Sequence, residues 1–202
     1  MDTPSILGLV GTLIDLIRAT PQLGRLIRAR KSFGVSVDTS GTSCVVSLGW
    51  TVYGLITQQP YVAFASGVMA SFFFIITLVA LRLGRSMREF RITPLWFIVL
   101  LVSGLLFGKN GLGIVLSVSV LASNIPQIRV AYNEKDLSAL SLETWLLSLF
   151  GGLVWGLYAI LKQDISIIAS AFFQVTTSAI IITLKLFKSN KDDLLGQEVV
   201  TD

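Results

Sequence analysis

The chain has 202 residues, 53% of them hydrophobic and only 14% charged, where an ordinary soluble domain has about a quarter charged. That balance cannot clothe a core in polar surface, so lipid is the expected solvent for most of the chain. With no histidine and one cysteine, Cys44, the composition excludes His-based acid–base chemistry, His metal ligation, an internal disulfide and a thiolate metal cluster.

Met1-Asp2-Thr3-Pro4 carries no basic segment, so no cleavable signal peptide is expected. A bilayer-spanning helix needs about 20 mainly apolar residues, and seven stretches are candidates. The first runs from Ser5 to Leu26. Within it Asp15, Arg18, Gln22 and Arg25 follow at spacings of three, four and three, which puts them on one helical face. Ionisable residues at that depth are costly and usually face the bundle interior or a water-filled cavity. Two readings of Asp15 and Arg18 stand side by side. One is a self-neutralising pair; the other is a site for a substrate carboxylate or amine, with proton coupling through Asp15. Pro21, in the same helix, removes an intrahelical hydrogen bond and invites a kink, and Gln22 beside it is placed to satisfy the freed backbone.

The second candidate, Ser40 to Thr57, carries Trp50 and follows Ser36 and Asp38. A serine cap and a carboxylate near the positive helix end account for that pair without any function. The third, Val62 to Leu83, carries Ser66. The fourth, Pro94 to Phe107, is short for a full span unless it extends over Lys109 to Gly111. The fifth, Gly113 to Val130, carries Asn124, Pro126 and Gln127. The sixth, Leu142 to Leu161, follows Ser141 and carries Glu143 and Trp155; the seventh, Ile165 to Phe187, carries Ser170, Ala171 and Gln174. Residues 189–202 read as a disordered tail.

The net charge of +4 fits membrane topology better than nucleic-acid binding. Arg25, Arg28, Arg30 and Lys31 follow the first span, and Arg82, Arg85, Arg88 and Arg91 follow the third. Arg129 and Lys135 follow the fifth; Lys185, Lys188 and Lys191 follow the seventh. The alternate side has only Lys109 and Lys162. Basic loops stay in the cytoplasm, so the N-terminus is expected outside and the C-terminus inside. The chain contains no Asn-x-Ser/Thr sequon, which fits a bacterial inner membrane.

The strongest signal is a repeat. Pro21-Gln22 and Pro126-Gln127 lie 105 residues apart (126 − 21 = 105). At the same offset Ser36-Val37-Asp38-Thr39 falls on Ser141-Leu142-Glu143-Thr144, and Trp50-Thr51-Val52-Tyr53 falls on Trp155-Gly156-Leu157-Tyr158. Such agreement marks a duplicated unit. Each unit holds three spans, an odd number, so two units lie parallel only if a further span returns the chain between them. The fourth candidate has no counterpart at this offset and fills that role. The expected fold is all-α, with seven transmembrane helices. It comprises a first repeat at 1–92, a linker helix at 93–112, a second repeat at 113–188 and the tail.

Two Pro-Gln-bearing three-helix units joined by a linker helix resemble the PQ-loop superfamily. The Trp-x-x-Tyr of each second helix is most similar to SWEET and SemiSWEET sugar transporters, which typify parallel repeats about the membrane normal. The resemblance implies that Trp50 and Trp155 stack on a substrate, whereas an interfacial aromatic anchor explains either ring alone. It implies that Pro21 and Pro126, with Gln22 and Gln127, act as hinges, whereas a static kink packed against a neighbouring helix explains either proline alone. It also implies an asparagine on the third helix of each unit, but Ser66 stands there in the first and Ala171 or Ser170 in the second. A serine hydroxyl offers less than an amide; Gln174 and Asn124 are the nearby amides.

The function expected is a facilitator of a small polar solute, a sugar first, with no cofactor, metal or enzymatic activity and with homo-oligomer formation left open. A proton-coupled carrier of an amino acid or other charged solute is the alternative raised by Asp15 and Arg18. A seven-helix receptor or sensor is a further one, opposed by the duplication and the short outer loops.

Overall fold

The computed structural model describes residues 2–29, 37–133 and 142–198. Its elements are α1 (Thr3–Ala29), α2 (Val37–Ile56), α3 (Pro60–Arg82), α4 (Ile92–Asn133), α5 (Leu142–Lys162) and α6 (Ile165–Glu198), with one 3₁₀ turn at Met87–Glu89. Among the described residues there is no strand. The last helix continues beyond 188 to Glu198, into the segment expected to be disordered.

Among the described residues, α3, α4, α5 and α6 through Lys188 are long and apolar enough to cross a membrane. α1 and α2, at 27 and 20 residues, have the length but spend one face on Thr12, Asp15 and Arg18, or on Ser47 and Thr51. Large apolar side chains stand outward, among them Ile165 at 80% exposure and Leu105 at 75%. In water such a surface would drive aggregation; in a bilayer it is the solvated face. The chain is a multi-pass integral membrane protein.

α4 spans 42 residues. Straight, it would measure about 63 Å at 1.5 Å per residue, roughly twice the hydrocarbon core of a bilayer. It is not straight. Gly108 breaks it at φ 60°, ψ −149°, a backbone region essentially confined to glycine. A Cβ there would meet nothing within 4 Å, so conformation rather than space requires the glycine. Trp96 Nε1 donates to Ser119 Oγ at 3.0 Å, although these residues would lie about 35 Å apart along one helix. The two limbs therefore run antiparallel. The loop expected over 108–112 shrinks to a single residue, because helix resumes directly through Lys109-Asn110-Gly111.

Each helix packs on two others or more. α1 lies against α3 and α5, while α2 lies against α3 and α4; α6 packs on both α4 and α5. Apolar helices gain no hydrophobic drive from one another in lipid, so close approach relies on small residues. At Gly54 a Cβ would lie 2.6 Å from the Ala63 backbone nitrogen, which brings α2 and α3 into backbone contact. The buried cluster of Tyr53, Leu112, Leu116, Tyr158 and Ile167 sits near the α2–α3 and α5–α6 turns. Those turns are copies of each other: Gln58 and Gln163 both take positive φ, at 57° and 53°. The next residue of each closes the turn, Gln59 N to Gly54 O at 2.7 Å and Asp164 N to Ala159 O at 3.0 Å.

Asp38 lies in the first turn of α2, as expected of a carboxylate near the positive helix end, and it also serves a second helix. Its carboxylate accepts from the backbone N–H groups of Arg91, Ile92 and Thr93 at 2.9–3.1 Å, so it caps α4 and pins α2 to it. The first amides of α4 have no partner in their own helix, and a carboxylate meets both their hydrogen bonding and their dipole. Ser36 and Ser141, the other half of the expected caps, lie outside the described residues.

Candidate functional site

A cavity of about 220 Å³ is lined by residues of α1 through α6. α1 supplies Asp15 and Arg18, α2 supplies Ser47 and Trp50, and α3 supplies Ser66. Facing them are Ser148 and Trp155 of α5, Ser170, Ala171 and Gln174 of α6, and Val120 of α4. The two indoles hold equivalent poses: Trp50 meets Tyr53 edge-on at 5.4 Å and 83°, and Trp155 meets Tyr158 at 5.4 Å and 82°. Both Trp-x-x-Tyr patterns thus turn an indole toward one shared space, braced by a tyrosine one helical turn on. Both rings are half-buried and line the cavity together, a placement that a pair of independent interfacial anchors does not need.

The polar side of the cavity is one-sided. Arg18 Nη2 donates to Asp15 Oδ1 at 3.1 Å and Arg18 Nη1 to Ser148 Oγ at 3.2 Å. Trp155 Nε1 donates to Asp15 Oδ2 at 3.0 Å. The Trp155 N–H is thereby committed within the protein. The pair neutralises itself, as one reading of the sequence expected, yet it also lines the cavity, as the other required. Placing a charge pair here demands this much bonding, because a buried ion without partners costs several kcal/mol. Ser148 could not be singled out from the sequence; nothing distinguishes it from the other serines of apolar helices.

A second polar cluster lies at the α2–α3 and α5–α6 turns. Tyr53 Oη donates to the Asp164 carboxylate, 2.9 Å from each oxygen, and Gln59 Nε2 donates to Asp164 Oδ2 at 2.5 Å. Asp164 also accepts the Ile167 N–H at 3.1 Å, capping α6. One carboxylate thus ties α2 and the α2–α3 turn to the α5–α6 turn and the start of α6. The equivalent bond in the other sense would join Tyr158 to Gln59; instead Tyr158 Oη and Gln59 Oε1 are both buried without a protein partner. Asp164 was missed in the sequence because an acid in a turn reads as a solvated cap. The signal available was its position, 105 residues after Gln59.

The two amides are both engaged within the protein. Asn124 donates to Thr177 Oγ1 at 2.8 Å and toward Gln174 Oε1 at 3.4 Å, so its amide is engaged between α4 and α6. Gln174 lines the cavity but donates to Ser178 Oγ at 2.9 Å. Neither Pro21 nor Pro126 ends its helix: α1 continues to Ala29 and α4 to Asn133. The side chains of Pro21, Gln22 and Pro126 lie outside the described residues, and Gln127 is half-buried. Among the described residues no group of His, Cys, Asp or Glu could hold a metal ion.

Residues 110–192 match the family described as "MtN3_slv: Sugar efflux transporter for intercellular exchange". That stretch includes α5 and Trp155, and it begins just after the break in α4 at Gly108. A eukaryotic SWEET transporter solved at 3.7 Å resolution is similar in structure, with a TM-score of 0.74 and 18% sequence identity. The similarity covers 93% of this chain and 97% of that one. No curated protein matches the chain.

Proposed function

We propose that this SWEET-like chain of the PQ-loop superfamily is a membrane facilitator that moves a small polar solute, most simply a sugar, by alternating access. The observation that carries the reading is the shared cavity: Trp50 and Trp155, one repeat apart, line a single space enclosed by helices of both halves. An indole face suits the C–H face of a sugar ring, and hydroxyls find partners among nearby polar groups. The description of the matching family, a sugar efflux transporter, supports the same substrate class. At about 220 Å³ the cavity falls below the usual range of drug-sized sites, about 300–1,000 Å³, in keeping with a small solute.

Counting the limbs of α4 separately gives seven spans. Two parallel three-helix units at 1–92 and 113–188 then flank a linker at 93–112, and rocking of one against the other would expose the cavity to each side in turn. The Tyr53–Asp164–Gln59 cluster supports a state closed at the turn end. Pro21, Gln22, Pro126 and Gln127 sit in α1 and α4, the helices that must flex, as hinges. The arginine-rich end, with Arg82, Arg85, Arg88 and Arg91, is cytoplasmic in this reading, and Lys109 and Lys162 face outward.

One observation favours a second reading. Asp15 lines the cavity, where a carboxylate that exchanged its proton would couple flux of an amino acid or other charged solute to a pH gradient. Uptake by purified protein in liposomes, against sugars and amino acids, with and without a pH gradient, separates the two. The facilitator equilibrates a sugar at any pH gradient; accumulation only with acid outside defeats it.

A further inference from the structure

The cavity lacks an amide at Ser66, Ser170 and Ala171, and it gains a charge pair that the second repeat does not have: the positions equivalent to Asp15 and Arg18 are Val120 and Ser123. We infer that Asp15 and Arg18 are substrate-binding residues that read an adjacent pair of hydroxyls on a neutral, polyhydroxylated solute. This rests on the sugar-transport reading above and specifies its polar half.

The donor and acceptor inventory carries the inference. A guanidinium has five N–H donors. Two of those on Arg18 go to Asp15 and Ser148, which leaves donors on a side chain still 30% exposed. Each Asp15 oxygen accepts one protein donor, from Arg18 or from Trp155, and each keeps a second lone pair. The intact pair therefore offers donors and acceptors side by side. A hydroxyl is both donor and acceptor, so two neighbouring hydroxyls can give to Asp15 and accept from Arg18 without separating the charges. A zwitterion would have to draw each member from its partner. An ion would add a net charge to a site whose own charges already cancel, at the desolvation cost that buried ions carry. The bonds to Ser148 and Trp155 keep the pair in place, since both residues lie on α5 and brace α1 from the opposite half.

The experiment uses the full chain in liposomes and measures counterflow of D-glucose, D-galactose, D-fructose and sucrose, then of the monodeoxy analogues of whichever sugar moves. Glycine and alanine are run in parallel. Wild type is expected to disfavour at least one deoxy analogue by roughly tenfold or more in apparent affinity, the size of a hydrogen bond to a charged group. Arg18→Lys keeps the charge but loses the planar fork, and it should bring the sugar and that analogue to within about twofold of each other. Ser148→Ala leaves both charges intact and serves if the lysine variant does not insert; it should weaken the same discrimination. If no neutral sugar moves, the function proposed above falls and this inference with it. If sugars move but every deoxy analogue moves equally well in wild type, or the variants keep wild-type discrimination, the inference alone is overturned. Glycine or alanine flux that depends on Arg18 also overturns it.

Discussion

Gln59 donates its side-chain amide to Asp164, and the two residues lie one repeat apart. The bond joins two positions 105 residues apart, the offset that also relates Trp50 to Trp155, and links the α2–α3 turn to the α5–α6 turn. Because one residue is an amide and the other an acid, the junction is asymmetric: Tyr53 finds a carboxylate, whereas Tyr158 finds no partner.

That asymmetry separates two otherwise equivalent tyrosines. Tyr53→Phe removes a hydrogen bond to a carboxylate and should cost about 1.5–3 kcal/mol. Tyr158→Phe removes a buried hydroxyl without a protein partner and should be neutral or stabilising by about 1 kcal/mol, because the desolvation penalty of that group goes with it. Thermal unfolding in detergent reads both; equal losses would mean that the Tyr158 hydroxyl is bonded after all.

The indoles should differ as well. Trp50→Ala and Trp155→Ala should each abolish transport in inserted protein, and Trp50→Phe should keep part of it, because a stacking face survives. Trp155→Phe should do worse than Trp50→Phe, since it also takes a donor from Asp15. Normal transport by both alanine variants would make the rings lipid anchors.

Close helix approach predicts a contrast between two glycines. Gly54→Ala places a Cβ 2.6 Å from the Ala63 nitrogen and should cost about 1–3 kcal/mol as α2 and α3 separate. Gly67→Ala meets nothing nearer than 3.7 Å and should be neutral or slightly stabilising, because alanine favours helix over glycine. Melting temperatures of the two variants check this; equal values would contradict the packing.

Orientation is open to labelling. In a Cys44→Ala background, cysteines at Lys109 and Lys162 should react with an impermeant thiol reagent on sealed cells, and one at Arg85 should not. Reaction at position 85 would reverse the topology.

The 105-residue offset was legible because it shows as residue types recurring at one constant spacing, Trp50 and Trp155 among them. The contacts that complete the cavity were not. Asp15 meets Trp155 at a separation of 140 residues, and its repeat counterpart is Val120, so no symmetry argument leads to it. The break in α4 falls where the fourth candidate ends, just after Phe107, but its length was not legible: helix resumes through Lys109-Asn110-Gly111, and a single glycine with non-helical φ and ψ turns the chain. Asp38 was legible as an acid in the first turn of its own helix, but not as the cap of α4, because the amides it binds lie 53–55 residues onward.

The most direct measurement of the central claim is uptake of D-glucose, D-galactose, D-fructose and sucrose by the purified chain in liposomes, with Trp50→Ala/Trp155→Ala as the paired control. The cavity reading predicts that at least one sugar equilibrates across the membrane without a pH gradient and that the double variant, inserted to the same level, moves none. No sugar flux in wild type, or equal flux in the double variant, would contradict it.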